Sequence, residues 1–252
     1  MGSTSKIQWT EASWNPWHGC KKVSEGCKYC YMYRDKERWK KDPKEVLRSK
    51  NNFKTPLSWE GMKLIFTCSW SDFFIEEADQ WRDEAWEIIK KTPWHTYQIL
   101  TKRPERIKEC LPNDWGVNGY MNVWIGISAE NQEVYDERIP ILKSIPARVR
   151  FLSLEPLIGR ITLGDLYGID WVIVGGESGN NTGKYRFRPC QMSWIHIIVS
   201  DCILAGTPVF VKQLGTHLSQ QLGLSDRHGG NIEEFPDGFK IREMPEVYAL
   251  PF

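Results

Sequence analysis

Six short apolar runs recur along the chain, and each closes on polar residues. Leu64–Cys68 closes on Ser69 to Asp72, Tyr97–Leu100 on Thr101 to Pro104, and Val123–Ile127 on Ser128 to Asn131. Val149–Leu154 closes on Glu155-Pro156, Trp171–Val174 on Gly175 to Gly179, and Val209–Val211 on Lys212-Gln213. The runs are short and often β-branched, so they predict strands buried on both faces. Between them lie stretches with helical spacing. Ala78–Lys91 sets out Trp81, Ala85, Trp86, Ile88 and Ile89 in this way, and Ser193–Ala205 is similar. Strands alternating with helices at intervals of roughly 30 residues predict parallel βαβ units. A further strand just before Cys20 brings the count to roughly six or seven, too few for a closed eight-stranded barrel. The expected fold is α/β, a partial (β/α) barrel forming one domain over 1–252, with an open doubly wound sheet as the alternative. In both, ligands bind at the carboxyl ends of the strands. Every polar tail falls there.

Composition adds little to that frame. Apolar residues make up 41% and charged residues 26%, as in an ordinary globular protein. Lys and Arg number 33 against 32 Asp and Glu, so any nucleic-acid surface must be a local patch. The 13 Trp are expected chiefly in the core, with base or sugar stacking as the functional alternative. The polar start, Met1 to Lys6, has no apolar leader, and no run approaches the ~20 residues of a membrane span. A cytoplasmic protein is expected, with no membrane partner. Of seven Cys, three crowd into residues 20–30, which argues against a secreted disulfide framework and for a metal site.

That cluster carries the chemistry. Cys20, Cys27 and Cys30 are spaced C-x6-C-x2-C, with Gly19 and Gly26 beside them. Three soft thiolates on one loop suit an iron–sulfur cluster or zinc. A structural zinc needs a fourth ligand, for which His18 or Cys68 are candidates. The remaining cysteines, Cys110, Cys190 and Cys202, are expected to be mostly buried thiols. The loop resembles that of radical S-adenosylmethionine (SAM) enzymes, C-x3-C-x-aromatic-C. Cys27, Tyr29 and Cys30 match it, and the first gap is six residues where that form has three.

A wider pattern covers most of the chain. Trp14-Asn15-Pro16 precedes Gly19-Cys20 and Gly26 to Tyr31; Ser153 to Leu157, Asp170 to Gly179 and Val211 to Gly215 come later. Jointly these segments are similar to a family of phage and prophage proteins described as radical-SAM-like, some of whose relatives belong to pathways that hypermodify thymine in DNA. The resemblance implies a radical SAM fold and a 4Fe–4S cluster on Cys20, Cys27 and Cys30, with one iron left open to chelate SAM. It also implies an external one-electron reductant and a host-cell cytoplasmic setting. One-electron cleavage of SAM would release a 5′-deoxyadenosyl radical, the cofactor supplying the chemistry and the protein the geometry. The implied reaction is an isomerisation that moves a glycyl group on the thymine 5-methylene of DNA from a nitrogen to a carbon link. The alternatives are another radical SAM reaction on nucleic acid, such as photoproduct repair, and a non-catalytic zinc or Fe–S module that binds nucleic acid.

The polar strand ends supply the other candidates. Ser69, Ser71 and Asp72 follow the second strand, where radical SAM enzymes hold the methionyl amine; capping is their alternative role. Ser128, Glu130 and Asn131 follow the fourth, where the ribose of SAM often binds, and again capping competes. Lys102 and Arg103 could pair with a carboxylate of SAM or substrate. Glu155 and Glu177 are candidate catalytic carboxylates, since each would be costly to bury alone. Glycines around Glu177 allow close backbone approach to a ligand. The segment 31–55 carries nine basic residues against four acids, together with Trp39 and Phe53. Either it touches DNA phosphates or it is a solvated face. Lys184 to Arg188 presents the same choice.

Overall fold

The computed structural model describes residues 4–246; Met1 to Ser3 of the polar start lie outside them. The elements in chain order are β1 (Ala12–Trp14), β2 (Trp17–His18), α1 (Tyr31–Arg38), β3 (Leu47–Arg48), β4 (Leu64–Thr67), α2 (Asp79–Lys91), β5 (Thr96–Thr101) and α3 (Ile107–Cys110). Then come β6 (Val123–Ser128), α4 (Gln132–Lys143), β7 (Val149–Leu154), β8 (Trp171–Gly175), α5 (Met192–Ala205), β9 (Val209–Gln213) and α6 (Gly215–Leu222). The fold is α/β, and seven parallel strands run in the order β1-β4-β5-β6-β7-β8-β9. Each strand therefore neighbours the next one in the chain. A doubly wound sheet reverses its order at a switch point; this one does not, so the winding is that of a partial barrel. The remaining strands, β2 and β3, form a small antiparallel pair that matches Trp17 to Arg48 and His18 to Leu47.

The chain divides into two compact units. One comprises residues 1–127 and 139–149, the other 128–138 and 150–252. In the first, β1 pairs with β4 and β4 with β5, so that Trp14, Thr67 and Ile99 share a register line near the strand ends. Its core is aromatic. Trp17 packs on Phe73 at 5.2 Å, Phe73 on Trp86 at 4.8 Å, and Trp86 on Trp115 at 5.3 Å between ring centroids. Such pairs add about 0.5–1.5 kcal/mol each beyond their burial. The indole N–H groups are satisfied by carbonyls: Trp17 donates to Asp72 at 3.0 Å and Trp86 to Cys110 at 2.9 Å. Most tryptophans are thus core residues, as expected. On α2 the buried face holds Arg82 as well as Ala85, Trp86, Ile88 and Ile89, while Trp81 is only half-buried. Arg82 stays inside because its guanidinium caps the carbonyls of Phe73 at 3.0 Å and Ile75 at 2.7 Å.

In the second unit β8 is buried along its whole length, Trp-Val-Ile-Val-Gly, as a strand covered on both faces should be. Trp171 lies between Phe151 and Phe210, with centroids 5.8 and 6.0 Å away. Among the described residues no helix is long and apolar enough to cross a membrane.

The turn after β8 is held by contact of the chain with itself. A Cβ on Gly176 would stand 2.2 Å from the Leu214 carbonyl oxygen, and one on Gly179 would stand 2.2 Å from that of Arg186. The glycines of Gly175 to Gly179 therefore admit neighbouring backbone. The expectation that they admit a ligand gives way to a packing requirement at these two positions. Gly176→Ala should lower the free energy of unfolding by about 1–3 kcal/mol in urea titrations, the scale of forced overpacking. Gly238→Ala, with nothing within 4 Å of the added carbon, should leave it within about 0.5 kcal/mol.

Candidate functional site

The cysteine loop begins four residues after β1 ends. The intervening Trp17-His18 is fixed by its pairing with β3. Gly19 then turns the chain at φ +99°, where a Cβ would meet the Glu45 carbonyl oxygen at 2.0 Å. No other residue fits there. Backbone ties hold the start of the loop: Gly19 N–H donates to Trp70 O and Cys20 N–H to Pro43 O, both at 3.0 Å. The Tyr33 hydroxyl donates to Cys20 O at 2.6 Å, and the Ser71 hydroxyl donates to Gly19 O. Cys27 closes a short 3-10 turn, and Cys30 is the residue from which α1 starts. All three thiols are partly exposed, whereas Cys68, Cys190 and Cys202 are buried.

Two of the loop thiols, Cys20 and Cys30, are shifted toward the protonated form. Burial pushes Cys20 up to about 12; the Asp72 carboxylate adds to the rise and Arg103 opposes it. Cys30 is raised by burial too, with the Lys102 ammonium pulling the other way. Cys68 is fully enclosed, which raises its thiol well above the ordinary range. Its backbone sits in the left-handed region at φ 65°, a strained conformation for a residue with a side chain.

Behind Cys20 stands a buried ion pair. Arg103 approaches Asp72 at 3.2 Å, donates to Lys21 O at 2.8 Å, and reaches the Cys20 Sγ at 3.7 Å. The same Asp72 carboxylate accepts hydrogen bonds from Thr101 Oγ1 at 2.7 Å, Lys102 N–H at 2.9 Å and Phe74 N–H at 3.0 Å. Asp72 is thereby tied into the end of β5. Ser69 accepts from the Asn15 amide at 3.0 Å and takes the Tyr31 hydroxyl on its carbonyl. The structure thus gathers Cys20, Ser69, Ser71, Asp72 and Arg103 in one network. Lys102 differs from Arg103: its side chain is half-exposed, and no carboxylate pairs with it among the described residues. Of the two cations, Arg103 is committed inward and Lys102 is the one available to a ligand.

The polar strand ends of the second unit are paired among themselves. Asn131 accepts Val134 N–H at 3.0 Å, the N-cap geometry for α4. Ser128 is buried and its carbonyl takes Arg138 at 2.7 Å. Arg138 also lies 3.8 Å from Glu130, whose side chain is wholly buried. Glu155 meets Lys212 at 2.6 Å. Glu177 is gripped by Arg188, which donates its Nε and its backbone N–H to one carboxylate oxygen at 2.8 Å and its Nη2 to the other. Arg188 in Lys184 to Arg188 is accordingly a partner of Glu177. Sequence reasoning named neither Lys212 nor Arg138 as a partner; it placed Thr101 in a polar strand end without a role and gave Tyr33 none. Residues at the ends of strands or one helical turn past Cys30 were the only available signal.

The donor set fits an iron–sulfur cluster. Three thiols project from one braced loop, and each would bind a separate iron around a cube, so they need not converge on one point. Among the described residues no three His, Cys, Asp or Glu side chains converge as ligands of a single metal ion. Gly19 permits the close turn, and a buried guanidinium beside Cys20 suits a ligand that becomes anionic on metal binding.

No curated protein and no solved structure matches the chain. One family profile does, over residues 4–245, nearly the whole sequence. On that match the chain belongs to the family described as "Protein of unknown function (DUF5131)".

Proposed function

We propose that this protein is a radical SAM enzyme that holds a 4Fe–4S cluster on Cys20, Cys27 and Cys30. The observation that carries the reading is the placement of a three-thiol loop past the end of β1 in a singly wound parallel sheet, braced by the buried Asp72–Arg103 pair. When bound and reduced, such a cluster supplies one-electron cleavage of SAM and a 5′-deoxyadenosyl radical. The chain's own residues do the rest. Gly19, Tyr33 and Ser71 set the path of the loop. Arg103 offsets negative charge at Cys20, and Asp72 orients Arg103. Ser69, Ser71 and Asp72 brace the loop and, from their place after β4, are the residues proposed to meet the methionyl amine of SAM.

The proposed substrate is a modified base in DNA, and the reaction a redox-neutral rearrangement of a glycyl-bearing thymine. A duplex substrate must extrude that base to reach the strand ends. Its glycyl carboxylate needs a cation, and Lys102, half-exposed at the end of β5 and without a carboxylate partner among the described residues, is the one proposed. Supporting this are the resemblance of the sequence to thymine-hypermodifying relatives and the basic, aromatic segment 31–55 directly after the cluster loop.

Protein purified without oxygen should be brown and hold about four iron atoms per chain. Replacing Cys20, Cys27 or Cys30 by Ala should abolish the cluster, and Cys110→Ala should not. Stoichiometric zinc without iron would overturn the cluster assignment in favour of a zinc module. A second comparison separates the two cations. Arg103→Gln leaves the buried Asp72 its three hydrogen bonds but removes its only ion-pair partner among the described residues, so it should cost up to about 3–5 kcal/mol of stability and depress iron content. Lys102→Gln should spare both stability and iron. It should instead impair conversion of glycyl-thymine DNA, read by mass analysis of released nucleosides. Normal conversion by Lys102→Gln would remove the carboxylate role.

A further inference from the structure

A cavity of about 240 Å³ lies against the loop, and the cluster assignment leaves it unused. Its walls include His18, Lys36, Trp39, Lys41, Asn52 and Trp70. Lys36 is only 2% exposed, and its ammonium donates to the carbonyls of Glu45 at 3.0 Å and Asp42 at 3.3 Å. That bond fixes the 42–45 segment over Gly19, so the cavity and the cysteine loop share a wall. The cavity falls below the roughly 300–1,000 Å³ of sites that hold drug-sized molecules. It suits one ring system with its substituents.

Three observations define what that ligand must be. Trp39 is 68% exposed, in a protein that buries most of its indoles, so a flat apolar face is offered to solvent at the rim. His18 Nδ1 is buried and has no hydrogen-bond partner, which leaves a polar atom for a ligand's edge. The third is backbone strain. Helix α1 ends in a Schellman motif: Lys41 N–H donates to Lys36 O and Lys40 N–H to Glu37 O, both at 2.9 Å. The residue in the left-handed position, where glycine is preferred, is Lys40 at φ 54°. Stability alone would place Gly there. Lys40 takes that position instead and sets a positive charge between Trp39 and Lys41.

A flat face, a free polar edge contact and Lys41 in the wall, with Lys40 next to it in the chain, together match a nucleobase with its phosphate. A sugar would match the indole and amides without needing the cations. A peptide carboxylate would match the cations without needing the indole.

We propose that this cavity binds one nucleotide of an unstacked nucleic-acid strand, the base against Trp39 and the backbone phosphates near Lys40 and Lys41. The proposal rests on the reading of the substrate as nucleic acid, and adds to it a site for one nucleotide. Base–aromatic stacking and phosphate contacts of this kind give binding that tolerates sequence and falls with salt.

The test is fluorescence anisotropy of a short labelled oligodeoxythymidylate with the full-length protein at two or more salt concentrations. Trp39→Ala should weaken binding about tenfold. Lys41→Glu should weaken it and lower the salt slope by about one. Lys40→Gly is the sharpest variant, because it should raise the thermal midpoint while weakening binding and flattening the salt slope. Competition by thymidine monophosphate at like nucleotide concentration would assign the site to free nucleotides, and its failure to compete would assign it to a strand; each supports a nucleotide pocket. Affinity unchanged in both Trp39→Ala and Lys41→Glu would overturn it. The assay needs neither cluster nor SAM, so its failure leaves the cysteine-loop reading standing. Loss of the cluster assignment, equally, would leave the binding result intact.

Discussion

The carboxylate of Asp72 is the constraint on which the cysteine loop depends. Buried just past β4, it accepts bonds from Thr101, Lys102, Phe74 and Arg103. Its backbone carbonyl takes the Trp17 indole. These contacts link the loop after β4, the end of β5 and the strand that leads into Gly19. A buried carboxylate is tolerable only with such full compensation. Once compensated, it fixes Arg103 in one place, and Arg103 in turn holds Lys21 O and reaches Cys20. The loop carries few apolar anchors of its own between Gly19 and Cys30, so its path is set mainly from outside, by Asp72, Ser71, Tyr33 and the Trp70 and Pro43 carbonyls.

The second unit spends its charged strand ends differently. Glu155 with Lys212, Glu177 with Arg188 and Glu130 with Arg138 are closed pairs. The turn at Gly176 is closed by close backbone contact. In the first unit, among the described residues, the Lys102 ammonium has no carboxylate partner and His18 Nδ1 no hydrogen-bond partner, and Trp39 is exposed.

The six apolar runs were legible because a strand buried on both faces must be apolar almost throughout, and β6 and β8 are. The first strand was harder to place. β1 is only Ala-Ser-Trp, it ends at Trp14, and a separate short pair, β2 with β3, carries the chain on to Gly19. No periodicity marks three residues. The cysteines and Gly19 could be read because their chemistry is local. The charged strand ends could be named but not paired. Glu155 and Lys212 meet across 57 residues of sequence, and nothing in either local context says which cation closes on which carboxylate. For the same reason Arg103 and Lys102 looked interchangeable, although burial and Asp72 give them opposite duties.

The protonation of Cys20 bears on what kind of chemistry the loop supports. A cysteine used as a free nucleophile needs a lowered pKa, from a helix N-terminus or an unshared cation. Cys20 has a guanidinium at 3.7 Å, yet its thiol is pushed up to about 12. The cause is burial, reinforced by Asp72, which already claims the positive charge of Arg103. Burial and Asp72 thus favour the protonated thiol at Cys20. A multivalent metal centre reverses the balance: it supplies the positive charge that burial and Asp72 withhold, and proton release accompanies its binding. In the proposed cluster Cys20 would serve as a thiolate ligand rather than as a free nucleophile. There Arg103, shared between Asp72 and the thiolate, would lower the negative charge of the proposed centre.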